Sequence, residues 1–264
     1  MNQQALDRRR TLSTVRDIME DFAQSTGLVG EAVPRRYLWT DAFAVCNFLE
    51  LYRWTQDAAY QHLALRLVDQ VHHVLGRHRD DAPAVVGGRT GWISGLGEEE
   101  GEAHPTQGGL RIGKPLNERP PGAPINQRQE WDRDGQYYHY LTKWMHALDR
   151  VAQVTGEAHY HLWAVELAKT AHAAFTYTPS HGGQKRMVWK MSIDLSRPLV
   201  PSMGQHDPLD GLITYLQLQA TAPEEVDRSS WPDLGAEIAE MAEICANMTW
   251  ITDDALGIGG LLSD

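Results

Sequence analysis

The sequence predicts an all-α protein built from antiparallel helical hairpins. Three observations lead there. Apolar residues recur at helical spacing through most of the chain, one unit is repeated at a shift of 100 positions, and the connection inside each unit is too short for any but antiparallel neighbours.

The repeat sets the register. Thr55-Gln56-Asp57-Ala58-Ala59-Tyr60 falls on Thr155-Gly156-Glu157-Ala158-His159-Tyr160, and the match continues through Ala64 and Ala164, Leu67 and Leu167, and His72 and His172. Before the first turn, Trp39, Phe43, Cys46 and Leu49 follow helical spacing, and after it Leu63, Leu67, Val71 and Val74 do so. Tyr137, Tyr140 or Leu141, Trp144, Leu148 and Val151 precede the second turn, and Trp163, Leu167, Ala171 and Phe175 follow it. Each turn offers a polar or glycine residue where a helix ends and an acid where the next begins.

Further helices are predicted at 6–26, 208–220 and 233–249, with Pro208 and Pro232 suited to first turns. Segment 86–128 is rich in Gly and Pro and lacks a sustained period, and a connection of that length usually carries function. Residues 186–194 alternate in part and predict a small β-hairpin within 180–204. The hairpin spacing is too long and irregular for common solenoid repeats, and large loops favour an α/α toroid with inner and outer helices, formed by residues 1–264 as one domain. Residues 255–264 read as a helix opened without its partner. The toroid is therefore expected to be incomplete, its core finished by another copy of the chain or by a further C-terminal segment.

Composition narrows the partners. A net charge of -11 repels a phosphate backbone, so no nucleic-acid partner is expected, and Arg8-Arg9-Arg10 reads as a solvated helix start. Met1 to Leu12 is polar, with no secretory signal, and no stretch is apolar enough to span a bilayer. No membrane partner is expected, and a reducing, cytoplasmic setting follows, with Cys46 and Cys245 as free thiols. A phosphate loop, a dinucleotide-binding glycine fingerprint, a nucleophile elbow and a Cys-x-x-Cys pair are all missing, and no cofactor is expected. His104, His206, Asp207 and Asp210 form a conceivable metal set, but their spacing is not diagnostic, so no bound metal is expected.

Four polar clusters remain. Asp41 lies at a helix start after Arg35-Arg36-Tyr37-Leu38-Trp39-Thr40, either as a carboxylate favoured by the helix dipole or as a working acid beside an aromatic platform. Glu130-Trp131-Asp132-Arg133-Asp134-Gly135-Gln136-Tyr137 packs three carboxylates with aromatics, and crowded carboxylates raise one another's pKa toward that of a general acid, although a solvated acidic turn would read the same way. His206-Asp207-Pro208-Leu209-Asp210 is either an N-cap box or a group with His206 as acid, base or ligand. His104, Arg111 and Lys114 of the long loop, with Lys190 and Asp194, complete the candidates.

These clusters resemble those of the six-hairpin glycosidase superfamily, the α/α-toroid enzymes. The resemblance rests on Leu38-Trp39-Thr40-Asp41-Ala42-Phe43, on Trp131-Asp132-Arg133-Asp134-Gly135-Gln136-Tyr137, and on the turns at 52–57 and 151–157. It spans most of the chain through loose motifs, and the chain supplies about four of the superfamily's six hairpins. It implies a carbohydrate-active enzyme, most simply a glycoside hydrolase-like one. Asp132 or Asp134 would be the general acid, Asp41 or Asp207 the base, and Trp39, Trp131 and Tyr137 the sugar platform, with His104, Arg111 and Lys190 lining the site. The related epimerase group implies an alternative, a sugar epimerase or isomerase with His206 and His104 moving the proton. A third reading is a non-catalytic helical binding or assembly protein.

Overall fold

The computed structural model describes residues 3–79, 90–223, 231–246 and 248–263. Residues 86–89 of the long loop, position 247 and Asp264 lie outside them. The protein is predominantly helical. Helix α1 (Gln3–Ser25) leads to the hairpin α2 (Leu38–Thr55) and α3 (Ala58–Leu75). Two six-residue helices, α4 (Glu98–Ala103) and α5 (Gln127–Asp132), interrupt the long connection. The second hairpin is α6 (Tyr138–Thr155) and α7 (Ala158–Phe175). Then follow α8 (Asp207–Ala220), α9 (Gly235–Ala246) and α10 (Ala255–Ser263).

The four hairpin helices keep the shift of 100 positions at both ends. Both turns work in the same way. Gln56 and Gly156 adopt the left-handed conformation, at φ 59° and 76°, and their N–H groups close the last turns onto Tyr52 O and Ala152 O. The Asp57 carboxylate then caps α3 by accepting the Ala59 N–H at 3.0 Å, whereas Glu157 makes no such cap for α7.

Helix α2 packs on α6 and α6 on α8, while α3, α7 and α9 flank them and α1 lies along α2. The core runs between these layers through Phe48, Leu67, Trp144, Leu148, Leu167, Phe175 and Tyr215. Arg8, Arg9 and Arg10 fall inside α1, not at its start. Residues 255–263 do form a helix, which touches α8.

Within 180–204 a short antiparallel return does form: Met191 bridges Pro198, with the Ser192 N–H on Arg197 O at 2.9 Å and the Leu199 N–H on Lys190 O at 3.0 Å. Among the described residues, four two-residue strands also form two antiparallel pairs. Here β1 (Gln136–Tyr137) pairs with β4 (Lys190–Met191), and β2 (Thr176–Tyr177) with β3 (Arg186–Met187). The alternating residues 186–191 bond to the entrance of α6 and the exit of α7 as well. Their pairing thus pins 186–191 onto the second hairpin.

No helix among the described residues is long and apolar enough to cross a membrane. Cys46 and Cys245 are free thiols.

Candidate functional site

The N-terminal ends of α2, α6 and α8 meet. Trp39 in the first turn of α2 packs edge-on to His139 of α6 (5.9 Å between ring centres), and His139 lies 5.5 Å from the His206 ring at the cap of α8. Tyr137 stacks on His139 at 5.7 Å and 21°, and Tyr140 packs edge-on to both rings, 4.9 Å from His139 and 5.1 Å from Tyr137. Tyr37, the repeat counterpart of Tyr137, packs on Tyr140 and shares a 2.5 Å hydroxyl contact with it.

At the centre is Asp207, the first residue of α8. It is fully buried, and neither carboxylate oxygen has a hydrogen-bond partner. His139 Nδ1 and His206 Nε2 each stand 3.5 Å from Oδ1. His139 Nδ1 is also buried and unpartnered. A buried carboxyl without donors is costly, and one between two imidazoles is a group held ready for something else. The backbone makes room for it at Gly204, where a Cβ would collide with the carboxylate. One donor atom from each of His139, His206 and Asp207 lies within 4.8 Å of the others. This is the residue set able to hold a cation, and it differs from the four residues nominated by sequence. His104 is taken by Glu166 at 2.6 Å, and Asp210 by Lys143 at 2.8 Å and Thr142 at 2.6 Å.

The other nominated residues separate into anchors and surface groups. Asp134 is fully buried but saturated. Its Oδ1 accepts from the N–H groups of Gly113, Lys114 and Gly135, and its Oδ2 from Arg111 at 2.7 Å and Arg79 at 3.3 Å. Every lone-pair direction is used, which leaves no geometry for proton transfer to a ligand. Arg111 spends its remaining donors on Arg77 O and Val74 O. The buried Lys190 amine donates to Glu130 O and Arg133 O, and burial pushes it down to about 8 against the pull of Glu130. These three residues tie the long connection to the entrance of α6. Asp132 is exposed at the end of α5.

Asp41 accepts the Tyr37 N–H at 2.8 Å and faces Arg36 at 3.6 Å, so it serves its own helix start. Burial pushes it up to about 7, opposed by Arg36 and by that N–H. Trp131 is exposed and packs on Trp189 at 5.7 Å, flooring a cleft of about 500 Å³ with Ile125, Glu130, Val200, Pro201 and Ser202. Trp189 in turn touches Tyr137 at 5.2 Å, so one run of rings leads from this cleft to His139.

Of the nominated residues, Trp39, Tyr137, His206 and Asp207 come together. Asp41, Asp132, Asp134, His104 and Arg111 do not join them, and Lys190 reaches the group only at Tyr137, its amine 5.2 Å over that ring. Sequence reasoning missed His139. Its signal was present in the repeat, since position 139 corresponds to Trp39 and sits in Tyr137-Tyr138-His139-Tyr140, an aromatic run at a helix start. Comparison with models of known families, with curated proteins and with solved structures finds no match.

Proposed function

We propose that this protein is a carbohydrate-active enzyme on an α/α-toroid scaffold, reacting at Asp207, His139 and His206. The toroid reading is supported by the shared end at which α2, α6 and α8 begin, because inner helices running in parallel are what such a ring requires. The observation that carries the chemical reading is the unpartnered Asp207 carboxyl flanked by two imidazoles at 3.5 Å.

The geometry favours sugar isomerisation or epimerisation over hydrolysis. Paired-carboxylate hydrolysis needs two carboxyl groups facing one substrate, about 5–9.5 Å apart. Of the four carboxylates nominated for that pair, Asp134 is saturated, Asp132 is exposed, and Asp41 takes its own helix-start N–H with Oδ2 and turns Oδ1 to Arg36. Isomerisation needs groups that exchange a proton beside a carbonyl, or that hold an ion able to polarise that carbonyl. Two imidazoles and a carboxylate supply either. The rings of Trp39, Tyr137 and Tyr140 would take the apolar face of the sugar, and the Trp131–Trp189 cleft would take a neighbouring unit.

The test is a panel of free aldoses and ketoses incubated in deuterium oxide. Deuterium should enter the carbon beside the carbonyl of one of them. Asp207→Asn and His139→Gln should each slow incorporation by about 100-fold or more. Incorporation that is absent across the panel, or unchanged in both variants, overturns the reading.

A further inference from the structure

The geometry points to a metal site: His139, His206 and Asp207 bind one divalent first-row transition ion through His139 Nδ1, His206 Nε2 and the Asp207 carboxylate. The inference deepens the proposed function by naming what the reacting centre holds, and it rests on that reading only for the ion's role, not for its binding.

The spacing is the first argument. A tetrahedral ion with bonds of about 2.0–2.1 Å sets its donors about 3.3 Å apart. Each imidazole nitrogen is 3.5 Å from Asp207 Oδ1, longer than a charge-assisted hydrogen bond and close to a coordination edge. The third edge, between the imidazoles, is within 4.8 Å.

The second argument is what the protein leaves undone. Asp207 is fully buried, His139 is 7% exposed and His206 8%, yet both Asp207 oxygens and His139 Nδ1 have no hydrogen-bond partner. Buried polar atoms are usually satisfied, and here the three unpartnered ones are all atoms able to ligate a cation and lie together.

The third argument is chemical. Two neutral imidazoles with one carboxylate suit zinc, iron, cobalt or manganese, and they fill too few positions to saturate any of these. The open positions would face substrate oxygens, where the ion polarises a carbonyl and acidifies the neighbouring C–H. Tyr137 stacked on His139 and Tyr140 edge-on to it restrict the orientation of that ring.

The test is direct titration of the chelator-treated protein with Zn2+ by calorimetry and with Co2+ by visible absorption, with no sugar present. The wild type should take up one equivalent, with the intense visible bands of a low-symmetry Co2+ site. Asp207→Asn and His139→Gln should each weaken binding about 100-fold or more while keeping the helical circular dichroism of the wild type. His104→Ala, whose ring is occupied by Glu166, should titrate like the wild type. The assignment falls if the wild type takes up no equivalent, or if both ligand variants bind as tightly as it does. A failed sugar panel with a successful titration removes the carbohydrate reading alone, and the reverse result removes the metal alone.

Discussion

The two helical hairpins share their length, their turns and their register, yet the first gives the candidate site one ring, Trp39, and the second gives it His139 with Tyr137 and Tyr140. Tyr37 and Tyr137 stand at the N-cap positions of α2 and α6, and both turn their rings toward Tyr140. Two residues further on, Trp39 and His139 correspond and touch. After that the hairpins part. Position 41 is an aspartate bonded to its own helix start, and position 141 is a buried leucine. Ahead of α2 stands Pro34, whereas its counterpart ahead of α6 is Asp134, the carboxylate that collects five donors. The second hairpin is thus tied to the long connection by a buried charged knot, which frees His139 to face Asp207 without having to stabilise anything itself.

The largest test of this contrast is Asp134→Asn. The change strands Arg111 and Arg79 beside a neutral group and turns one of the accepting oxygens into a donor. Removing one partner of a buried ion pair costs about 3–5 kcal/mol, and a loss of that size should appear in urea unfolding. Asp207→Asn is the matched control. With no donors to lose, it should alter stability by less than about 1 kcal/mol in the presence of chelator. Equal losses in the two variants would erase the distinction between anchor and reacting group.

A second test uses pH. Burial raises Asp41 from 3.8 to about 7, so between these values the folded chain binds more protons than the unfolded one, and this group makes stability fall as pH rises. His72 on α3 acts in the opposite sense. Burial lowers it from 6.5 to about 3, so its contribution is complete above 6.5 and is lost as pH falls toward 3. The two slopes oppose each other, each at most about 1.4 kcal/mol per pH unit. Urea unfolding from pH 4 to 7 should show a net rise with pH in Asp41→Asn and a net fall in His72→Gln. Profiles that match the wild type in both variants would show that neither group titrates as its burial implies.

The smallest effect lies in the turns. Gln56 pays a left-handed backbone that Gly156 adopts freely, offset in part by its side-chain bond to Arg53 O at 2.9 Å. Gln56→Gly should stabilise by about 0.5 kcal/mol. Gly156→Ala, in open space with only the backbone opposing it, should cost about 1 kcal/mol in the same assay.

The helices and both turns were legible in sequence because their causes are local: a 3.6-residue period, a residue able to turn left-handed, and an acid to start the next helix. Trp39, Tyr137, His206 and Asp207 were legible as site candidates because helix starts gather at one end of packed hairpins. Asp134 was misread because the donors that saturate it come from Arg79 and Arg111, far away in the chain. His139 was passed over because a histidine inside an apolar helix normally reads as packing, and His72 in α3, which accepts the Trp144 indole N–H at 3.2 Å, is such a residue. The strand pairs were invisible for the same non-local reason, since β4 finds its partner at the entrance of α6.

The two-residue turns also decide where the molecule is able to yield. Gln56 and Asp57 alone join α2 to α3, and Gly156 and Glu157 alone join α6 to α7, so each pair of rods is clamped at that end. The site lies at the other end, about 27 Å away along an 18-residue helix. Each hairpin is therefore a pair of tweezers. A fraction of a degree of splay at the clamp becomes a displacement of tenths of an ångström at Trp39 and His139, enough to alter the 3.5 Å spacing of His139 from Asp207.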